Sequence, residues 1–117
     1  MKITEKKIRR LADAIETCSI LSAFDVKVYR NEWDNMKITF NDGNNIQHEI
    51  EFYEPANTLD IGFRDEKGGY HWYCSMRLER QNETQAIFTI AIVLKSGQNI
   101  AIDYYEKEWE KTHAAGE

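Results

Sequence analysis

Two stretches of this 117-residue chain hold side chains that could do chemistry. The first is His71-Trp72-Tyr73-Cys74, an imidazole and a thiol three positions apart. Side chains on an extended strand alternate between faces, so residues three apart point in opposite directions. His71 and Cys74 therefore cannot grip one ion. The remaining candidate ligands, Cys18, His48 and His113, stand at no spacing that a zinc site uses. The second stretch centres on His48, flanked by Ile46 and Ile50 at strand period. A histidine on a core face is a general base or ligand anchor where a cavity opens onto it, and a satisfied core residue where none does. Glu49 points the other way and cannot orient the ring. The sequence has no Gly-x-Ser-x-Gly, Walker loop or Gly-x-Gly-x-x-Gly. No catalytic residue, metal or cofactor is expected, and the chain reads as a non-enzyme.

The elements that carry these residues are mostly strands. Between Phe24 and Tyr104, six turn-prone clusters rich in Gly, Asn, Asp and Pro, the last two being Arg80-Gln81-Asn82-Glu83 and Ser96-Gly97-Gln98-Asn99, punctuate segments of alternating β-branched and aromatic residues. Period two puts Phe24, Val26 and Val28 on one face, then Met36, Ile38 and Phe40, then Ile46, His48, Ile50 and Phe52. Leu59, Ile61 and Phe63 mark a fourth strand. Tyr70, Trp72, Cys74, Met76 and Leu78 mark a fifth. Ala86 to Leu94 reads as a sixth strand with both faces apolar, and Ile100 with Ile102 as a seventh. Trp72, Met76, Phe88 and Ile92 are then expected in one buried cluster. Parity also constrains the Asp42-Gly43 turn. If Phe40 and Ile46 share a face, the loop must hold three or five residues, not two.

Helices are expected at both ends. Thr4 can cap a helix running to about Cys18, with Ile8, Leu11, Ala12 and Ile15 on one stripe. Lys6, Lys7, Arg9 and Arg10 crowd its first turns, where the helix dipole disfavours cations, so an acidic neighbour is expected from Glu106, Glu108 and Glu110. A second helix is expected from about Tyr104 to Ala114. The fold class is thus α+β in one domain, 1–117: an N-terminal helix, a six- to seven-stranded antiparallel meander curved or closed into a partial barrel, and a C-terminal helix.

Charge narrows the function classes. Residues 1–30 carry seven Lys/Arg and four Asp/Glu, and residues 31–117 carry eight and sixteen, for a net of −5. An acidic chain does not favour direct binding of nucleic acid. The polar N-terminus lacks a signal-peptide core, and no apolar run reaches the roughly 20 residues of a membrane span, so a cytoplasmic protein with reduced Cys18 and Cys74 is expected.

These limits favour a small acidic interaction module, in concrete form an inhibitor or immunity-type protein that covers the basic surface of a larger, nucleic-acid-binding partner. Tyr29, Tyr53, His71, Tyr73 and Arg77 fall opposite the core stripe, and Trp33 sits in a turn. Trp33 and Tyr73 are the expected partner-binding anchors, with Glu32, Asp34, Glu49 and Glu51 as the charged surround. The alternative is a curved sheet with a ligand cavity near His48, Trp72 and Cys74. A homodimer is expected through Ile87, Ala91 and Val93, the second apolar face of the sixth strand, or through an adjacent strand edge.

Overall fold

Thr4 opens the first helix. Its Oγ1 accepts from the Lys7 amide at 3.4 Å, and α1 runs Glu5–Thr17 in a computed structural model that describes residues 1–114. Ile8, Leu11, Ala12 and Ile15 are buried along one stripe, as their spacing requires. The acidic neighbour of the basic first turns is Glu83, not the C-terminal glutamates. The Arg10 fork binds it at 2.5 and 2.8 Å. That contact holds the Glu83 carboxyl below its usual range, with Lys7 and Lys6 adding to the effect.

Five strands follow: β1 Phe24–Arg30, β2 Met36–Asn41, β3 Gln47–Tyr53, β4 Thr58–Arg64 and β5 Tyr70–Arg77. They pair antiparallel in sequence order, with β1 and β5 left as edges, so the sheet is an open meander and not a barrel. The β2–β3 loop spans the five residues 42–46, because Phe40 pairs with His48 and Asn41 with Gln47. Met36, Ile38, Phe40, Ile50, Phe52, Leu59 and Ile61 form the inner face and join the helix residues in one core.

The expected sixth and seventh strands do not exist. Glu83–Ala114 is a single 32-residue helix, α2. Its start is a capping box. Asn82 Oδ1 accepts from the Gln85 amide at 2.8 Å, and Gln85 Oε1 accepts from the Asn82 amide at 3.0 Å. An apolar run with no polar face satisfies strand and buried-helix patterns alike, which is why periodicity misassigns it. By length and composition alone α2 could also cross a membrane. Here Ala86, Ile90, Leu94 and Ala101 are buried against the sheet. Phe88 and Ile92 are exposed, at 68% and 50%, so they are not members of the core cluster expected for them.

Two β-bulges correct the face assignments. In β1, Phe24 pairs with Asn41 but Lys27 pairs with Thr39, so one residue is extra and Asp25 takes a left-handed φ of 55°. Val26 and Val28 pack on the core, while Phe24 is turned out. In β5, Cys74 pairs with Ile61 and Trp72 with Gly62, which makes Tyr73 the extra residue. Cys74 and Met76 pack inward as alternation implies. Before the bulge the order inverts: His71 faces in, and Trp72 is 59% exposed on the outer face.

Tyr73 also explains a glycine that looked like a turn. Gly97 lies mid-helix in α2, and a Cβ there would overlap the hydroxyl end of the Tyr73 side chain. Helix propensity favours alanine over glycine by about 1 kcal/mol, whereas forcing atoms into a packed site costs about 1–3 kcal/mol. Gly97→Ala should therefore destabilise the protein by up to about 2 kcal/mol in urea unfolding. In a Tyr73→Ala background the same change should become neutral or favourable. A stabilising Gly97→Ala in the intact protein would refute this packing.

Candidate interaction face

Both helices share the inner core, and among the described residues no element lies over the other side of the sheet. That outer face is built by alternation. It presents Tyr29 from β1, Lys37 from β2, Glu49 and Glu51 from β3, Asp60, Gly62 and Arg64 from β4, and Tyr70, Trp72, Ser75 and Arg77 from β5.

At its centre Glu49 is 2% exposed although it stands on the uncovered side. Lys37 and the Arg64 guanidinium clamp it from the two neighbouring strands, with a further Arg64 Nη2 contact at 3.2 Å. Burial pushes the carboxyl upward, but bonds from Arg64 and Lys37 outweigh it and hold the pKa low. The Arg64 guanidinium lies 5.3 Å from the centre of the Tyr70 ring, a cation–π contact. Gly62 leaves room for both neighbours on β5: a Cβ there would come 2.5 Å from the His71 carbonyl oxygen and 2.6 Å from the Tyr70 ring. Burial, and then the carboxylates of Asp60 and Glu49, raise the Tyr70 hydroxyl pKa. Along β5, Trp72 Nε1 donates to Ser75 Oγ at 3.0 Å, and Ser75 donates to Asp60. Tyr53 beside them is pushed up to about 12, first by burial and then by Glu51 and Asp60.

The turn between β1 and β2 adjoins this face. Asn31 Oδ1 accepts from the Trp33 and Asn35 amides, both at 3.0 Å. The Asn31 and Asn35 side chains donate to Glu51 at 2.9 and 3.0 Å and so tie the turn to the sheet. Trp33 is left 71% exposed, with Glu32 and Asp34 exposed on either side of it. Of the residues expected to meet a partner, Trp33, Glu32 and Asp34 are thus exposed and adjacent, with Asp34 Oδ1 3.9 Å from Arg30 Nε. Glu49 is locked inside the face and Glu51 is engaged by the turn, so neither supplies a free steering charge. Tyr73 points inward against Gly97 and cannot anchor a partner. His71 also points inward; its Nε2 meets Asp65 Oδ2 at 2.8 Å, and its ring stacks on Phe63.

His48 is fully buried and fully engaged. Nε2 lies 2.7 Å from Asp42 Oδ2, Nδ1 lies 3.3 Å from the Tyr73 hydroxyl, and the ring stacks on Phe40. Asp42 also accepts from the amides of Asn44 and Ile46 at 2.8 and 3.2 Å. Burial raises its pKa, and the bonds from His48 and the two amides more than reverse that. The trio orders like a catalytic relay, but a ring with no exposed surface meets no substrate; it satisfies a polar group in the core. Trp72 stands on the opposite face from His48 and Cys74, so the three do not line one cavity. Among the described residues, no group of three or more His, Cys, Asp or Glu is placed to hold a metal ion.

Sequence reasoning missed Tyr70, Asp60, Ser75 and Arg64 on the outer face and Asp42 inside. Gly62 was the available signal, since an isolated glycine within a strand marks a bulge or a close approach. Comparison with known protein families, with curated protein sequences and with solved structures finds no match for this chain.

Asp42 and Glu49 both have lowered folded-state pKa values. The stability they contribute is complete above the ordinary carboxylate range of about 4 and is lost as pH falls through the lowered values. The wild-type urea midpoint should therefore fall steeply between about pH 4 and pH 2. At pH 7, Glu49→Gln should cost about 3 kcal/mol, because it strands two partly buried cations. Asp42→Asn with Glu49→Gln should show a shallower acid dependence than wild type, and an unchanged acid slope would contradict the assignment.

Proposed function

We propose that this chain is a protein-interaction module, and not an enzyme, that docks through the uncovered sheet face and the adjoining Trp33 turn. The observation that carries the reading is the state of that face. Trp72, Tyr70 and Tyr29 are exposed on the strands, while Glu49, Glu51, Asp60 and Ser75 around them are already paired. Fixed aromatic rings and arginine bury much area on association at little entropic cost. Pre-paired charges need not be left stranded when water is expelled. A solitary sheet gains nothing from holding an indole in water. Its retention on the one face that no helix covers is accounted for by a partner.

The net charge of −5 favours a partner of opposite sign, and the exposed carboxylates Glu32 and Asp34 stand beside the Trp33 anchor. An inhibitor or immunity-type protein that covers the basic surface of a nucleic-acid-binding protein fits this arrangement. Such a partner would be met first through the Trp33 turn, where charge steers the encounter, and then held by the ring-lined face.

Capture of the partner from the native host, followed by titration with variants, tests the proposal. Trp72→Ala should change stability by less than about 1 kcal/mol, as an exposed side chain does, yet weaken binding by about 2 kcal/mol or more. Trp33→Ala should act in the same direction. Glu32→Lys with Asp34→Lys should slow association, and the effect should shrink as salt rises. Undiminished binding by both tryptophan variants would overturn the docking face.

A further inference from the structure

The glutamates in the second half of α2 do not answer the cations of α1; two of them border a groove instead. Between that half of α2 and the β2–β3 and β4–β5 turns lies an open groove of about 540 Å³, a size that suits a small molecule. Ile102, Tyr105, Glu106, Trp109 and Glu110 recur at i, i+3, i+4, i+7 and i+8, so a single stripe of α2 forms one wall. Buried Ile46 and exposed Glu66, one from each turn, contribute to the other. Trp109 is 60% exposed, and His113 stacks on its ring at 3.9 Å and holds it in place.

Charge says what this groove takes. Glu66, Glu106 and Glu110 are all exposed, and no lysine or arginine lines the groove with them. Lys107 and Lys111 are bound elsewhere, by Asp103 at 2.9 Å and by Glu108 at 3.2 Å. Glu110 acts on Lys107 more weakly than Asp103 does. The Glu66 carboxylate bears on Tyr105, whose hydroxyl pKa is raised first by burial and then by that charge. Like charges at i, i+4, as in Glu106 and Glu110, weaken a helix. A cation in the groove relieves that repulsion, and the faces of aromatic rings attract it as well. A point ion is a poor match, because among the described residues no three acidic groups converge to hold a metal. The acids are strung out instead, with Glu106 and Glu110 about 6 Å apart along the helix. Tyr105 and Trp109 share their stripe. A linear polyamine has the same pattern, with ammonium groups separated by short methylene runs along one chain. A lysine-rich peptide does not, because its charges hang on stems away from its backbone.

We propose that the groove between α2 and the two turns binds a linear polyamine, with its ammonium groups on Glu66, Glu106 and Glu110 and its methylenes against Ile46, Tyr105 and Trp109. The site is separate from the uncovered sheet face and does not depend on a protein partner.

Spermidine titration of the full chain tests it, by calorimetry on wild type and by emission from a Trp33→Phe, Trp72→Phe chain in which Trp109 is the only indole. One molecule should bind per chain with a dissociation constant below about 100 µM at low salt. Trp109 emission should change in step with the heat. Trp109→Ala should raise the constant at least about tenfold, with circular dichroism unchanged. Glu106→Gln with Glu110→Gln should raise it at least about fivefold, and this pair carries the test alone if the tryptophan variant loses its fold. Putrescine, with fewer ammonium groups, should bind more weakly than spermidine. A wild-type constant above that limit would overturn the proposal. So would full affinity in either folded variant, or putrescine binding as tightly as spermidine. Displacement of spermidine by magnesium ion at equal charge would reduce the effect to diffuse attraction and overturn it too. Tighter binding of tetralysine than of spermidine would assign the groove to a peptide, against the proposal.

Discussion

One extra residue in β5 decides what each side of the sheet presents. With Tyr73 bulged out of register, His71 and Tyr73 both turn inward, while Tyr70 and Trp72 turn to the uncovered side. The rest follows from this placement. Tyr73 needs room against α2, and Gly97 supplies it. Its hydroxyl reaches His48, whose other nitrogen is held by Asp42. Tyr70 needs room on the outer face, and Gly62 supplies that. An unbulged β5 would bury the Trp72 indole where Tyr73 now packs and leave the Tyr73 ring in water.

The two faces solve the same problem differently. The inner face is covered by helices, so its polar groups must be satisfied by one another, and the Asp42–His48–Tyr73 chain does this with one carboxylate, one imidazole and one hydroxyl. Among the described residues no element covers the outer face, yet it still buries a carboxylate. Lys37, Arg64 and the Tyr70 ring form a lid of side chains over Glu49 in place of a secondary-structure element. That lid makes the outer face stiff, because moving any ring or guanidinium exposes a charge that has been stripped of water.

Much of this was legible in the residues. The first helix, its Thr4 cap and its buried stripe follow from spacing, as do the first four strands and the five-residue loop demanded by parity. The second helix was not legible from periodicity, since Ala86 to Leu94 is apolar on every side and a buried helix and a buried strand then look alike. Asn82 and Gln85 did carry the signal, as a capping pair three residues apart, but Asn82 sat within what read as another turn. Ser96-Gly97-Gln98-Asn99 misled for a related reason. A glycine needed for close packing has the same letter as one needed for a bend, and Gln98 is buried, donating to the Leu21 carbonyl at 2.7 Å. The candidate face was hidden by the bulge, which no local composition announces: alternation ran correctly back from Leu78 to Cys74 and then changed sides.

The orientation of Trp72 is therefore the point on which the account turns. A chain with Trp33→Phe and Trp109→Phe keeps Trp72 as its only indole, and acrylamide quenching of its emission reads that side chain alone. Trp72 should be readily quenched in the free protein and become strongly protected when the captured partner is added. An indole already shielded in the free chain would show that β5 has no such bulge, and one quenched equally with and without partner would show that the uncovered face is not where the partner binds.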